Sequence, residues 1–276
     1  MEEFISIEHI NKSFGGLKAL NDISFAIYKG EAVGLCGANG SGKSTLIKIL
    51  AGVLPPDNGS ITIEGRKMIS YGSLSGIRSG ISVIYQDLSL FPTLTVLENI
   101  CIARLIEQGH PAVFIERERN RAKKILDDLG VSINLDSTVE ELPIASQQLI
   151  AIARALNNDS RLIILDEPTT ALTSAEINLL FKTVTKLKND GIAVVFISHK
   201  IDEIMELCDR VTILRDGTMV ASKKTAETTT ADIETLMVGQ AAAYSPPGEL
   251  PGGAKQVLEV RGLTKKNNFK DISFTL

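Results

Sequence analysis

The chain has 276 residues, 44% hydrophobic and 22% charged, with a net charge of −4 from 29 basic and 33 acidic residues. That length holds one large α/β domain or two smaller ones, and the composition excludes disordered and collagen-like classes. The acidic balance argues against nucleic acid as the main partner, since phosphate backbones call for a basic surplus. Cys36, Cys101 and Cys208 are odd in number and lack metal-ligand spacing, which fits a reducing compartment rather than a disulfide framework. The opening MEEFISIEHINK is unlike a secretory signal, and no apolar run approaches the roughly 20 residues of a membrane span. A soluble, cytoplasmic chain is expected, one that can still dock on a membrane protein.

In chain order, residues 4–10 alternate as a strand, 23–27 and 60–63 are short strand candidates, and 32–36 is an apolar run that stops at a glycine loop. Residues 91–145 change character, with helical spacing over 95–102 and 115–129. The charged run ERERNRAKK, 116–124, reads as the solvated face of a helix, with a nucleic-acid patch as the lesser alternative. From 146 onward helix and strand alternate: helix 146–156, strand 162–165, helix 174–189, strand 193–197, helix 200–207, strand 210–214. Such alternation builds a parallel sheet covered by helices on both faces.

Residues 241–255, AAAYSPPGELPGGAK, hold three of the nine prolines and read as a linker. A partial repeat follows. LEVRGLTK (258–265) lines up with ISIEHINK (5–12), and DISFTL (271–276) with DISFAI (22–27), the second copy being four residues shorter between the blocks. The reading is a tandem protein cut just inside its second half, with 256–276 opening a second domain. Chance similarity in a C-terminal extension is the alternative.

The sharpest signal is Gly37-Ala-Asn39-Gly40-Ser41-Gly42-Lys43-Ser44-Thr45, which fits GxxxxGK[ST] between a predicted strand and a predicted helix. Glycines let backbone N–H groups curl around phosphate oxygens, and the helix N-terminus adds positive potential. Lys43 is expected to reach the β- and γ-phosphates, and the Ser44 hydroxyl to sit on Mg²⁺. A second acidic element, Asp166-Glu167-Pro168, ends the apolar strand 162–165. Alone, such a pair reads as a turn or helix cap. With the glycine loop it becomes a metal-and-base pair: Asp166 holds Mg²⁺, and Glu167 orients or deprotonates the attacking water. His199 and Gln86 each follow a predicted strand and by themselves decide little; His9 and His110 are assigned no role.

Together these residues resemble the nucleotide-binding subunit of ABC transporters over 4–240, in the family's order. Phe14 is followed by the glycine loop, Gln86, a helical insertion at about 91–150, a signature segment, Asp166-Glu167, a D-loop and His199. The resemblance implies a P-loop NTPase α/β core with a mostly parallel sheet, an N-terminal antiparallel β subdomain and an inserted helical subdomain. It implies that Phe14 stacks on the adenine of ATP, that Gln86 senses the metal and the membrane partner, and that His199 holds the γ-phosphate and the attacking water. The insertion would meet transmembrane permease subunits on the cytoplasmic face of a bacterial membrane, with an extracytoplasmic solute-binding protein as an indirect partner. The signature departs from the family's LSGGQQQ: Pro143, Ile144, Ala145 and Ser146 stand where Ser, two Gly and the first Gln are usual. Proline supplies neither hydroxyl nor N–H, and Ile144 adds bulk where backbone should approach phosphate. Thr173 likewise replaces the usual D-loop Asp. An Ile-Ala signature with Ala-Leu-Thr in the D-loop is similar to the first half of tandem sugar-importer ATPases of the ribose, galactose and xylose type. The implied ATPase is weak or inactive without its second nucleotide-binding domain. Two rivals stay open at this point, a soluble tandem ATPase acting on ribosomes or nucleic acid and a non-hydrolysing nucleotide-gated interaction domain.

Overall fold

The computed structural model describes residues 2–69, 71–72, 79–108, 111–239, 258–265 and 269–275. They fall into two units, Met1–Gln240 and Ala241–Leu276. The predicted linker at 241–255 and His110 lie outside the described residues.

In the first unit, β1 (Glu3–Phe14) and β2 (Leu17–Tyr28) form a hairpin longer than the predicted strands. It turns at Gly15-Gly16, whose φ values of 51° and 89° suit a two-residue hairpin turn. After β3 (Ala32–Cys36) and α1 (Lys43–Leu50), β4 (Asn58–Ile63) and β5 (Arg66–Lys67) complete an antiparallel sheet of order β2-β1-β4-β5.

The second sheet takes β6 (Ile81–Ile84), β7 (Leu162–Asp166), β8 (Ala193–Ile197), β9 (Arg210–Arg215) and β10 (Thr218–Lys224) in the order β10-β9-β3-β8-β7-β6. All neighbours are parallel except β9 and β10. The helices are α2 (Val96–Gln108), α3 (Pro111–Asp128), α4 (Ile144–Asn157), α5 (Ser174–Asn189), α6 (Ile201–Leu207) and α7 (Thr230–Val238). This is the α/β architecture expected, with its antiparallel N-terminal sheet.

β3 and β8 are buried along their whole length, as a parallel sheet covered on both faces requires. Their alternation feeds two cores. Ile163, Leu165, Val194 and Phe196 pack with α2 to α6, while Leu162, Ile164, Val195 and Ile197 pack with α1 and the antiparallel sheet. Free Cys36 and Cys101 are both buried, which pushes each thiol up to about 12.

Three helix starts are chemically marked. Thr95 and Glu98 exchange hydrogen bonds at the start of α2, and capping boxes Thr173/Glu176 and Thr229/Asp232 open α5 and α7. The charged run 116–124 keeps the expected solvated face at Arg117, Asn120, Lys123 and Lys124, which are exposed, but departs from it at Glu118 and Arg121. Glu118 is buried and accepts a hydrogen bond from Asn157 Nδ2 at 3.1 Å, and Arg121 donates to the Asn157 carbonyl at 3.2 Å and to Asp159 at 2.5 Å. Part of the run anchors α3 to the end of α4.

One ion pair welds the two sheets. Arg210, at the start of β9, meets buried Glu31 through Nε and Nη2 at 2.8 and 2.9 Å, and Nη2 also donates to the Ala26 carbonyl of β2 at 2.6 Å. Removing one partner of such a pair strands a buried charge, at a cost of about 3–5 kcal/mol. Arg210→Ala should lose about that much stability in urea unfolding, and a loss below about 1 kcal/mol would show the weld to be dispensable.

The second unit is a hairpin of β11 (Glu259–Lys265) and β12 (Phe269–Thr275). Its register reproduces that of β1 and β2: Val260↔Phe274 and Leu263↔Ile272 match Ile7↔Phe25 and Ile10↔Ile23. Even the irregularity recurs. His9 N–H donates to Ser24 Oγ and Gly262 N–H to Ser273 Oγ, and Asp22 and Asp271 share a φ of 56°. His9 itself spans this bulge, its Nδ1 2.7 Å from Asp22 Oδ1.

Candidate functional site

Because β3, β6, β7 and β8 run parallel, the residues that follow them emerge along one edge of the sheet, where open α/β sheets gather ligands. The glycine loop follows β3, Gln86 follows β6, Asp166 ends β7, and His199 follows β8. They line one cleft of about 750 Å³, together with Phe14, Asn39, Gly40, Ser41, Gly42, Lys43, Ser44, Thr45 and Glu167. Of the predicted nucleotide- and metal-binding residues, Gly37 alone does not line the cleft; its carbonyl accepts from Lys43 Nζ at 2.6 Å.

The loop depends on a close approach. A Cβ on Gly42, whose φ is 103°, would lie 2.6 Å from the Ala19 carbonyl oxygen of β2. Gly217, in the turn between β9 and β10, is equally confined and bridges the two: its carbonyl accepts from Asn21 N–H and its N–H donates to the Ser41 carbonyl. Gly217 and Asp216 were missed as cleft residues, although Asp-Gly is a legible hairpin signal that also predicts β10.

Lys43 folds onto its own loop, with Nζ 2.6 Å from the Gly37 carbonyl and 3.1 Å from that of Ala38. Burial lowers its pKa, against the opposing pull of Glu167, Cys36 and Asp166. Gly42 caps α1 with no side-chain acceptor, and the first turn carries no acidic residue. The N-terminal amides thus face the cleft without a protein anion, as phosphate binding requires.

Across the cleft, Asp166 pairs with Ile197 in register, and Glu167 N–H donates to the Ile197 carbonyl at 2.9 Å. That pairing places Glu167 beside the β8 exit, where His199 Nδ1 lies 2.6 Å from Glu167 Oε2. Glu167 adopts a φ of 51°, a strained setting for a non-glycine residue. The Asp166 pKa is raised by burial and by the Glu167 charge, offset in part by Lys43. Ser44, Gln86 and Asp166 offer only oxygen donors beside this surplus of negative charge, so they fit a hard divalent cation whose remaining ligands come from phosphate and water.

Two outer supports fix the rim. Asp57 accepts from Lys12 Nζ and from Ser13 N–H, both at 2.7 Å, which holds its carboxyl below the usual range, and Lys12 Nζ sits 5.7 Å from the centre of the Phe14 ring. Arg154 of α4 donates to the carbonyls of Leu88 and Ser89, both in left-handed backbone, and so bolts the segment after Gln86 to the signature helix. That helix begins at Ile144, two residues before the predicted start, with Pro143 as its N-cap and no side-chain cap.

The chain is 39% identical over 275 residues to ribose import ATP-binding protein RbsA of Clostridium tetani, covering 98% of this chain and 54% of that protein. An Agrobacterium fabrum relative, 42% identical over 99% of this chain and 54% of its own length, carries the name of a ribose/galactose/methyl galactoside import ATP-binding protein. The chain thus spans about half the length of the curated relatives it matches. Among solved structures it resembles MJ1267, an ATP-binding cassette of an ABC transporter in its ADP conformation, with a TM-score of 0.73 and 28% identity over 87% of this chain and 96% of that one. The dimeric bacterial cassette MJ0796 gives 0.69 and 29% over 80% and 98%. The ABC transporter family model matches residues 20–170, more than half of the chain, which therefore belongs to the ABC transporter family.

Proposed function

We propose that this chain binds ATP with Mg²⁺ and, paired with a second nucleotide-binding domain, hydrolyses it to power the import of a small solute, a sugar of the ribose or galactose class, through a membrane permease. The observation that carries the reading is the 2.6 Å Glu167–His199 pair facing Lys43 and the glycine loop across one cleft. The sugar class rests on the names of the relatives.

In this reading Phe14 stacks on the base, the loop amides and Lys43 hold the β- and γ-phosphates, and His199 keeps the Glu167 carboxylate aimed at a water. The water oxygen bonds to the γ-phosphorus, the bond from that phosphorus to the bridging oxygen breaks, and the water's proton passes to Glu167. Ser44, Asp166 and Gln86 would hold Mg²⁺, which supplies charge neutralisation at the phosphate oxygens.

The repeated hairpin supports a second nucleotide-binding domain that begins at 256. Leu263, Ile272 and Phe274 are exposed there, whereas Ile10 and Ile23, the first two of their counterparts, are buried. In a head-to-tail pair, this domain contributes an intact loop, Glu167 and His199 to one competent site, and its altered signature to the other. The groove beside Gln86, lined by Val53, Tyr85, Ile102 and Arg154, would take a permease segment, and a solute-binding protein would act on the permease's far side. No helix among the described residues is long and apolar enough to cross a membrane, which suits peripheral attachment at the cytoplasmic face.

Phosphate release from Mg·ATP over a range of chain concentrations tests the division of labour. Turnover near zero throughout, with ATP still bound, is expected; activity rising with the square of concentration would mean that the altered signature completes a second copy's site. Phe14→Ala should weaken ATP binding roughly tenfold, as a lost stacking contact of about 1–3 kcal/mol predicts, and leave tripolyphosphate binding unchanged in calorimetry. Asp166→Asn relieves a half-buried charge beside Glu167. Without nucleotide or metal it should raise Tm by roughly 2–4 °C, about 1 kcal/mol, and it should abolish the Mg²⁺-dependent part of the stabilisation by ATP.

A further inference from the structure

Behind the Glu167–His199 pair lies a third carboxylate, outside the cleft. Glu203 on α6 is buried, as are Thr169 and Ser198. Its Oε2 accepts from Thr169 Oγ1 at 2.7 Å and from Ser198 Oγ at 2.9 Å, while Oε1 lies 3.0 Å from Lys200 Nζ. Lys200 N–H donates in turn to Ser198 Oγ at 3.0 Å.

The partners are specific in their placement. Thr169 stands two residues after Glu167, and Ser198 and Lys200 flank His199 on either side. The two loops are separated along the chain by α5 and β8, and otherwise meet through the Glu167 N–H to Ile197 carbonyl bond, a long 3.5 Å contact from Lys200 Nζ to Thr169 Oγ1 and the His199–Glu167 bond itself. A backbone bond fixes strand spacing but leaves each loop free to rotate beyond it. A carboxylate that accepts from both loops removes that freedom, because each hydroxyl is buried and losing its acceptor is costly there.

We infer that Glu203 is a positioning residue: it ties the loop carrying Glu167 to the loop carrying His199 and so sets the imidazole against the carboxylate before any ligand arrives. Its catalytic meaning rests on the function proposed above, whereas the tie itself does not.

The test uses the full chain labelled with ¹⁵N at one alkaline pH. The sequence holds three histidines, so His199→Gln assigns the signal. The wild type should show one protonated and one bare ring nitrogen on His199, since Nδ1 donates to Glu167. Glu203→Ala should average the two and speed exchange of the Lys200 amide at least tenfold. Glu203→Gln, which keeps an acceptor oxygen for Thr169 and Ser198, should restore both readouts. Thr169→Val, in the opposite loop, should move the His199 signal in the same direction as Glu203→Ala and serves if that variant does not fold. Unchanged ring signals and unchanged Lys200 exchange in either variant would overturn the inference. ATP addition separates the two readings. If the wild-type spectrum ignores ATP while Glu203→Ala still acts, the nucleotide reading fails and the tie stands; if ATP shifts the spectrum and Glu203→Ala does nothing, the tie fails alone.

Discussion

The cleft depends on the parallel pairing of β7 with β8. Asp166 stands opposite Ile197, so the residues that follow each strand leave the sheet side by side, and Glu167 meets His199 without any long excursion of chain. An antiparallel neighbour would send those residues to opposite edges. The same parallel geometry places the glycine loop after β3 and Gln86 after β6 on that edge. The buried, uninterrupted apolar strands that make a central parallel sheet possible are therefore also what gathers the polar residues at its end.

The site concentrates features that occur singly elsewhere among the described residues, such as the uncapped start of α4 and the left-handed backbone of Leu88, Ser89 and Asp159. α5 and α7 begin with reciprocal capping boxes, and Thr95 with Glu98 marks the start of α2, yet α1 and α6, which begin at the cleft, have no side-chain cap. Glu167 holds a left-handed backbone, and Asp166 keeps a carboxylate half-buried beside it. Ser41 Oγ is buried without a hydrogen-bond partner. The half-buried Asp166 carboxylate, the uncapped start of α1 and the unpaired Ser41 hydroxyl are costs of the kind that a bound polyphosphate and cation would relieve. Such costs persist where the surrounding structure over-determines them, here through two cores and the Glu31–Arg210 weld.

Much of this was legible because it is local in sequence. The GxxxxGK[ST] spacing, the apolar run ending in Asp166-Glu167 and the alternation after 146 each lie within a short window, and the structure brings Phe14, Gln86, Asp166, Glu167 and His199 into the same cleft as Lys43. β10 and α7 carry equally local signals, Asp216-Gly217 and the Thr229–Asp232 box, yet the predicted alternation stops at strand 210–214 and includes neither. What the sequence could not reveal joins residues far apart. Glu31 and Arg210 are 179 positions apart, and Arg154 reaches back 66 positions to Leu88. The run 116–124 shows the same limit: helical periodicity identifies a charged face, but the buried polar end of α4 decides that Glu118 turns inward.

The altered signature can be weighed by the same distinction between packing and surface. Pro143 and Ile144 are exposed at the start of α4. The residues that fix this helix lie elsewhere: Gln147 donates to the Leu142 carbonyl, Arg154 holds Leu88 and Ser89, and Asn157 reaches Ile100 and Glu118. None of these contacts needs a serine at 143 or a glycine at 144. Proline before the first helical residue even suits the helix, since its fixed φ and missing N–H carry no penalty there. The fold is therefore indifferent to the substitution, and its consequence falls on whatever surface the start of α4 meets. That is the pattern expected when two joined domains share one reaction unequally. In the head-to-tail arrangement proposed above, the residues facing this chain's own cleft are intact, while the altered start of α4 would face the nucleotide of the other domain.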